Sequence, residues 1–183
     1  MKARARKSKI VFIGYRATGK STLAAELARR WRIEWRDSDV VVEETLGKSI
    51  ADVFRDEGET FFRDVEADVL ARLLRAPEPM IVATGGGAPM RDATRALMKE
   101  TAVVVWLVAS VETIAQRMLG DASSASRRPS LTKVGSAIDE IERVLRAREP
   151  IYRDAATIEI ATDGKTVDEL VEEIADRVPE IFF

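Results

Sequence analysis

Gly14, Gly19, Lys20 and Ser21 occur in the segment Gly14-Tyr-Arg-Ala-Thr-Gly-Lys-Ser-Thr22, directly after the apolar run Ile10-Val-Phe-Ile13. A glycine, four residues, then glycine, lysine and a hydroxyl is the spacing a phosphate cradle requires. The glycines let the backbone curl with its amides inward, the lysine reaches the outer phosphates, and the hydroxyl suits Mg²⁺. A strand, turn and helix that merely contain glycine is the plain alternative, and two glycines, a lysine and a hydroxyl at fixed spacing after a strand argue against it. Nucleotide binding follows. The destination of the phosphate does not, because the same element serves GTPases, motor ATPases and small-molecule kinases.

Asp37 and Asp39 flank one residue at the end of a second strand. In an extended segment both carboxylates project to the same side. Beside a triphosphate, one would hold Mg²⁺ and the other would accept a hydrogen bond from an attacking hydroxyl and align it. The structural alternative makes Asp37 a strand-end residue and Asp39 the cap of a helix beginning at Val40.

Three further features bear on an acceptor. Gly85-Gly86-Gly87 ends a third strand, where the backbone can approach a ligand closely. Glu66 shares the apolar stripe of a helix with Phe62 and Leu70, and Arg63, one turn before it, can be held by it; an idle surface ion pair is the other reading. Arg148 continues the stripe Ile138, Ile141, Leu145 where an apolar residue is expected. An inward arginine needs an anion, and two converging arginines suit a planar carboxylate; alternatively Arg148 lies along the helix end and serves its terminal carbonyls. The polar segment Gly120 to Ser130 has the composition of a flap, and its Arg127 and Arg128 are placed to neutralise charge on a transferred group.

Positioning these residues needs alternating strands and helices, the pattern of an α/β domain with a mostly parallel sheet. Strands are expected at Lys9 to Gly14, Ile33 to Asp37, Met80 to Thr84, Ala102 to Val108 and Thr157 to Ile160. Helices are expected at Lys20 to Trp31, Gly58 to Arg75, Ser136 to Glu149 and Thr166 to Val178, with a short one capped by Ser49. In such sheets ligands bind beyond the carboxyl ends of the strands, so the phosphate loop, the aspartates and the glycines should meet in one crevice.

The 183 residues suffice for one domain and are too few for two of usual size. A hydrophobic fraction of 46%, a charged fraction of 33% and a formal net charge of -2 describe a soluble protein with no overall pull toward nucleic acid or membrane. The chain has neither cysteine nor histidine. Disulfides, thiolate sites and imidazole chemistry are thereby excluded, leaving carboxylates, lysine, arginine and a metal. Residues 1–8 read as a basic solvated tail, and with no segment of about 20 apolar residues the chain is expected to be cytoplasmic and monomeric.

Taken together, these residues resemble the shikimate kinases, small P-loop enzymes of aromatic amino acid biosynthesis. The resemblance runs from Ile10 to about Val178. It rests on the phosphate loop, Asp37-Ser-Asp39, Gly47-Lys-Ser-Ile-Ala-Asp-Val-Phe54, Phe61-Phe-Arg-Asp-Val-Glu66, Ala83-Thr-Gly-Gly-Gly-Ala88, Arg127-Arg-Pro129 and Arg148-Glu-Pro-Ile-Tyr-Arg153. It implies a three-layer sandwich of the nucleoside monophosphate kinase type, a five-stranded parallel sheet in order 2-3-1-4-5 flanked by helices. It also implies Mg²⁺-dependent transfer of the ATP γ-phosphate to the 3-hydroxyl of shikimate.

Carried onto this chain, the resemblance assigns ATP to Gly14, Arg16, Ala17, Thr18, Gly19, Lys20, Ser21 and Thr22, with Arg117 against the adenine and Thr162 and Asp163 closing over the base. Ser21 and Asp37 serve the metal. Asp39 contacts the substrate hydroxyls, Arg63 and Arg148 hold the carboxylate, and Gly85, Gly86 and Gly87 line the pocket. Asp39, Lys20 and Arg128 form the catalytic set, although the long serine-rich flap leaves the choice between Arg127 and Arg128 open.

The chain departs from the family pattern at Tyr15-Arg16-Ala17, where smaller residues are usual and Arg16 is free to point to solvent. The fourth strand ends in Leu107-Val108-Ala109 without an aspartate, consistent with metal binding at Asp37. Among alternatives, a gluconate kinase would share the loop and flap without needing the triple glycine and inward arginines. The guanine-reading motif of a GTPase needs an asparagine, and the chain has none. An inactive binding module would have lost Lys20, Asp39 or a substrate arginine, and all are present.

Overall fold

A computed structural model describes residues 7–120 and 134–178, with side chains from residue 138 onward in the second stretch. Five parallel strands form one sheet: β1 (Lys9–Ile13), β2 (Glu34–Asp37), β3 (Met80–Ala83), β4 (Ala102–Val108) and β5 (Ile158–Ala161), in the order β2-β3-β1-β4-β5. This is the anticipated order. Apart from Lys9 at the start of β1, the three inner strands read as apolar runs and are buried along nearly their full length, because helices cover both faces. The edge strands β2 and β5 alternate between covered and exposed positions.

On one face, α1 (Lys20–Trp31) and the last helix, α8 (Val167–Arg177), pack Leu23, Leu27, Leu170 and Ile174 against Ile10, Phe12 and Val105. On the other, α4 (Gly58–Arg75), α5 (Asp92–Thr101) and α7 (Val134–Ala155) bury Leu70, Met98 and Tyr152 against Val11, Ile13 and Val104. Two satellite clusters bear on function. Val42 of α2 (Ser38–Leu46), Ile50 and Val53 of α3 (Ile50–Asp56), and Phe62 and Val69 of α4 make a small core behind the aspartates. Tyr15, Ala109, Ile114 of α6 (Val111–Gly120) and Ile141 make another beneath the phosphate loop.

The helix ends follow local chemistry. The Ser49 hydroxyl accepts from the Asp52 amide at 3.1 Å, and Thr166 with Glu169 forms a reciprocal capping box at the start of α8. Lys9, wholly buried at the start of β1, donates to the Ala76 carbonyl at 2.7 Å and to the Glu78 carbonyl, stapling the turn between α4 and β3.

Several expected boundaries shift. β1 and β3 stop one residue early, at Ile13 and Ala83, while β2 begins at Glu34 and β5 spans Ile158–Ala161. The helix after β2 begins at Ser38 rather than Val40, and its cap is Asp37, whose carboxylate accepts from the Asp39 amide at 3.0 Å. The α7 helix does not stop at Glu149 but continues through Pro150 to Ala155. Proline there removes the donor to the Arg146 carbonyl. Both residues lie on the exposed side, where water can replace that bond.

Candidate active site

The phosphate loop leaves the centre of the sheet, between the ends of β3 and β4. Gly14 has φ +139°, and a side chain there would stand 2.6 Å from the Leu107 carbonyl oxygen, so only glycine fits. Thr18 ties the loop to itself, its hydroxyl donating to the Tyr15 carbonyl at 2.8 Å. Lys20 is buried, with its ammonium on the Gly14 and Tyr15 carbonyls at 3.1 and 2.7 Å. Ser21 reaches across to β2, its hydroxyl donating to Asp37 Oδ2 at 2.6 Å.

A cavity of about 200 Å³ opens over this loop, lined by Arg16, Lys20, Ser21, Asp37, Asp39, Glu43, Ile50, Thr84, Gly85 and Gly86. Residues expected on the donor side and on the acceptor side therefore share one space. Asp39 arrives there differently from the expected way: Asp37 ends the strand and Asp39 sits in the first turn of α2, so a helix start rather than strand alternation aims it. Arg16 is only partly exposed. It lines the cavity, its Nε is buried with no hydrogen-bond partner among the described residues, and its Cζ lies 5.7 Å from the Tyr15 ring centroid.

The triple glycine is the wall between carboxylates and arginines. A Cβ on Gly85 would lie 2.6 Å from Asp39 Oδ1 and 2.8 Å from Glu66 Oε1, and one on Gly87 would lie 2.6 Å from Arg63 Cζ. Glu66 is 3% exposed and holds Arg63 through a 2.8 Å bond to Nη1, while Glu59 takes the other edge at 3.2 Å. Burial works against the Arg63 charge, but the two carboxylates outweigh it and raise the pKa above the ordinary guanidinium value. Arg63 faces a second cavity, of about 430 Å³, with Gly87, Arg91 and Thr94. Arg148 approaches from α7, its Nη1 3.4 Å from the Gly86 carbonyl.

Among the residues expected to meet the nucleotide, Arg117 donates to the Thr162 hydroxyl and carbonyl, each at 3.1 Å, and its Nη1 lies 3.4 Å from the Ala17 carbonyl. Asp163 accepts from the Ser110 amide at 3.0 Å, at the start of α6. Thr22 is exposed in the first turn of α1. Arg127, Arg128 and most of the Gly120 to Ser130 flap lie outside the described residues.

Sequence reasoning missed two contributors. Glu43 lines the first cavity and accepts from the Ile50 amide at 2.9 Å; its place one helical turn after Asp39 was the available signal. Tyr152, one turn after Arg148, is fully buried and donates to the Gly86 carbonyl at 2.5 Å.

The sequence model of the shikimate kinase family matches residues 16–179. The chain belongs to the shikimate kinase family. Shikimate kinases of Rhodopirellula baltica and Paracidovorax citrulli are 42% and 41% identical to it, each across 91% of this chain and 88% and 89% of their own. The structure of a shikimate kinase from Acinetobacter baumannii in complex with shikimate superposes with a TM-score of 0.84 at 30% identity, covering 94% of this chain and 93% of that one. The sheet order of this shikimate kinase family member and its P-loop kinase architecture agree with that likeness.

Proposed function

We propose that this chain transfers the γ-phosphoryl group of ATP to the 3-hydroxyl of shikimate, giving shikimate 3-phosphate and ADP, in aromatic amino acid biosynthesis. The observation that carries the reading is the shared cavity, in which Lys20 and Ser21 of the phosphate loop face Asp39, Gly85 and Gly86 across one small space. Family membership supports it, as does the relative from Acinetobacter baumannii that binds shikimate.

ATP lies along Gly14 to Thr22, with Arg117 and Thr162 at the base. Lys20 exchanges its carbonyl partners for the outer phosphates. The shikimate carboxylate is held by Arg63 and Arg148 against Gly86 and Gly87, which turns the ring hydroxyls toward Asp39. The 3-hydroxyl oxygen bonds to the γ-phosphorus as the bond to the β,γ-bridging oxygen breaks. The electron pair leaves on ADP, and the hydroxyl proton passes to the Asp39 carboxylate. Arg128 of the flap belongs to the same reading as the cation covering the transferred group.

Ser21 and Asp37 fit Mg²⁺: a hydroxyl and a carboxylate 2.6 Å apart beside the phosphate loop are oxygen donors suited to a hard cation. No group of three or more acidic side chains able to hold a metal occurs among the described residues, so phosphates and water would complete the shell. When bound, the ion supplies neutralisation of the phosphate charge. The described residues include no helix long and apolar enough to cross a membrane, and we assign the activity to a cytoplasmic monomer acting on small molecules alone.

The test is ADP release with shikimate, quinate and gluconate as acceptors. Turnover is expected with shikimate far above the others; no turnover with shikimate overturns the assignment.

A further inference from the structure

We propose that Arg16 is a catalytic residue, a guanidinium carried by the phosphate loop itself that contacts the phosphoryl group during transfer to the acceptor. This rests on the kinase reading above and goes beyond it by giving Arg16 a role in the transition state rather than in holding ATP.

Four observations converge. Arg16 lines the cavity that also holds Lys20 on the donor side and Asp39 on the acceptor side. Its Nε is buried without a hydrogen-bond partner among the described residues, a donor withdrawn from water and not satisfied by the protein around it. The Cζ at 5.7 Å from the Tyr15 ring gives the guanidinium an aromatic support on one side, and the Tyr15 ring is itself fixed in the cluster with Ile114 and Ile141. Finally, the cavity carries three carboxylates, Asp37, Asp39 and Glu43, against two cations, Lys20 and Arg16.

That charge balance decides where a cation is needed. A phosphoryl group leaving ADP moves away from Lys20 and toward Asp39 and Glu43, so repulsion rises along its path. A guanidinium facing the same space offsets it, and its planar fork of N–H groups matches two equatorial phosphoryl oxygens. Arg16 forms no covalent bond. The loop reaches this arrangement through Ala17, whose φ of +60° turns the chain directly after Arg16.

The experiment compares wild type with Arg16→Met, which keeps the unbranched stem out to about the Nε position and removes the guanidinium, and Arg16→Lys, which keeps charge and loses the fork. Steady-state kinetics with ATP and shikimate are measured beside the binding of ADP alone and of ADP with magnesium and aluminium fluoride in the presence of shikimate. For Arg16→Met, kcat is expected to fall on the order of 10²-fold, the scale of one lost donor at a developing charge. Its affinity for the fluoride complex should fall in step, with KM for ATP and ADP affinity within about threefold of wild type. Arg16→Lys should recover part of kcat.

Wild-type kcat in Arg16→Met overturns the inference. So does an equal loss of ADP, ATP and fluoride-complex affinity, which would make Arg16 an ordinary nucleotide contact. Thermal unfolding of both variants at the wild-type temperature excludes a folding defect. Wild type run alongside separates the two readings: if it fails to phosphorylate shikimate, the acceptor is wrong, whereas wild-type turnover matched by Arg16→Met defeats the role of Arg16 alone.

Discussion

In the proposed reaction Asp39 and Arg148 divide the acceptor between them, one at the reacting hydroxyl and one at the carboxylate, and their substitutions should separate accordingly. Asp39→Asn keeps the shape and removes the proton acceptor, so kcat is expected to drop by about 10² to 10⁴, the range of general-base contributions, with KM for ATP little changed. Full turnover by that variant would show that Asp39 is not the base. Arg148→Ala should raise KM for shikimate at least tenfold, the effect of about 1.4 kcal/mol of lost binding, and leave KM for ATP within twofold. Equal effects on both constants would remove Arg148 from the carboxylate site. Its 3.4 Å contact with the Gly86 carbonyl is a loose one, which leaves the guanidinium able to turn to an anion.

The strand ends and helix starts decide which of these side chains meet. Gly85 is the test at this scale: Gly85→Ala would set a methyl group 2.6 Å from Asp39 Oδ1 and 2.8 Å from Glu66 Oε1, at the junction of β3, α2 and α4. Shikimate turnover is expected to fall at least tenfold with ADP affinity preserved, since a misplacement of about 1 Å at reacting groups costs on the order of 10² in rate. Isothermal titration with each ligand checks the split. In Tyr152→Phe the Gly86 carbonyl loses its 2.5 Å donor while the ring stays 5.9 Å from Trp106, so KM for shikimate should rise and the fold should persist. Much of this was legible in the sequence. The loop spacing, the strand order implied by family likeness and the limits of α1, α4 and β4 agree with the structure. The aim of Asp39 and the passage of α7 through Pro150 were not legible, because both depend on which side of an element faces water. The resemblance had assigned Arg16 to ATP, but its direction escaped for a related reason: a loop residue has no periodicity to betray where it points, and only the packing of Tyr15 beneath it fixes where it goes.

At the scale of the whole molecule, Lys9 links stability to pH. Its side chain is wholly buried, and burial pulls its pKa below the ordinary 10.5 despite the opposing attraction of Glu78. The folded state thus disfavours the proton. Stability should rise as pH climbs through the folded value toward 10.5 and fall again as pH drops back through it. Lys9→Met should flatten that alkaline rise and, by leaving the Ala76 and Glu78 carbonyls without their donor, destabilise by on the order of 1 to 3 kcal/mol at neutral pH. Denaturant unfolding at several pH values measures both, and an unchanged slope would exclude Lys9 as its source.

The order β2-β3-β1 also fixes a length. The phosphate loop springs from β1, the glycine wall from β3, and Asp37 with the helix start that carries Asp39 from β2, and neighbouring strands keep a spacing of about 4.8 Å set by their hydrogen bonds. The sheet is therefore a ruler laid across the site, with the phosphate loop and the end of β2 two graduations, about 10 Å, apart. A chain built on it cannot widen that gap by degrees. It can refit the site to a larger or smaller acceptor only through the reach of its side chains.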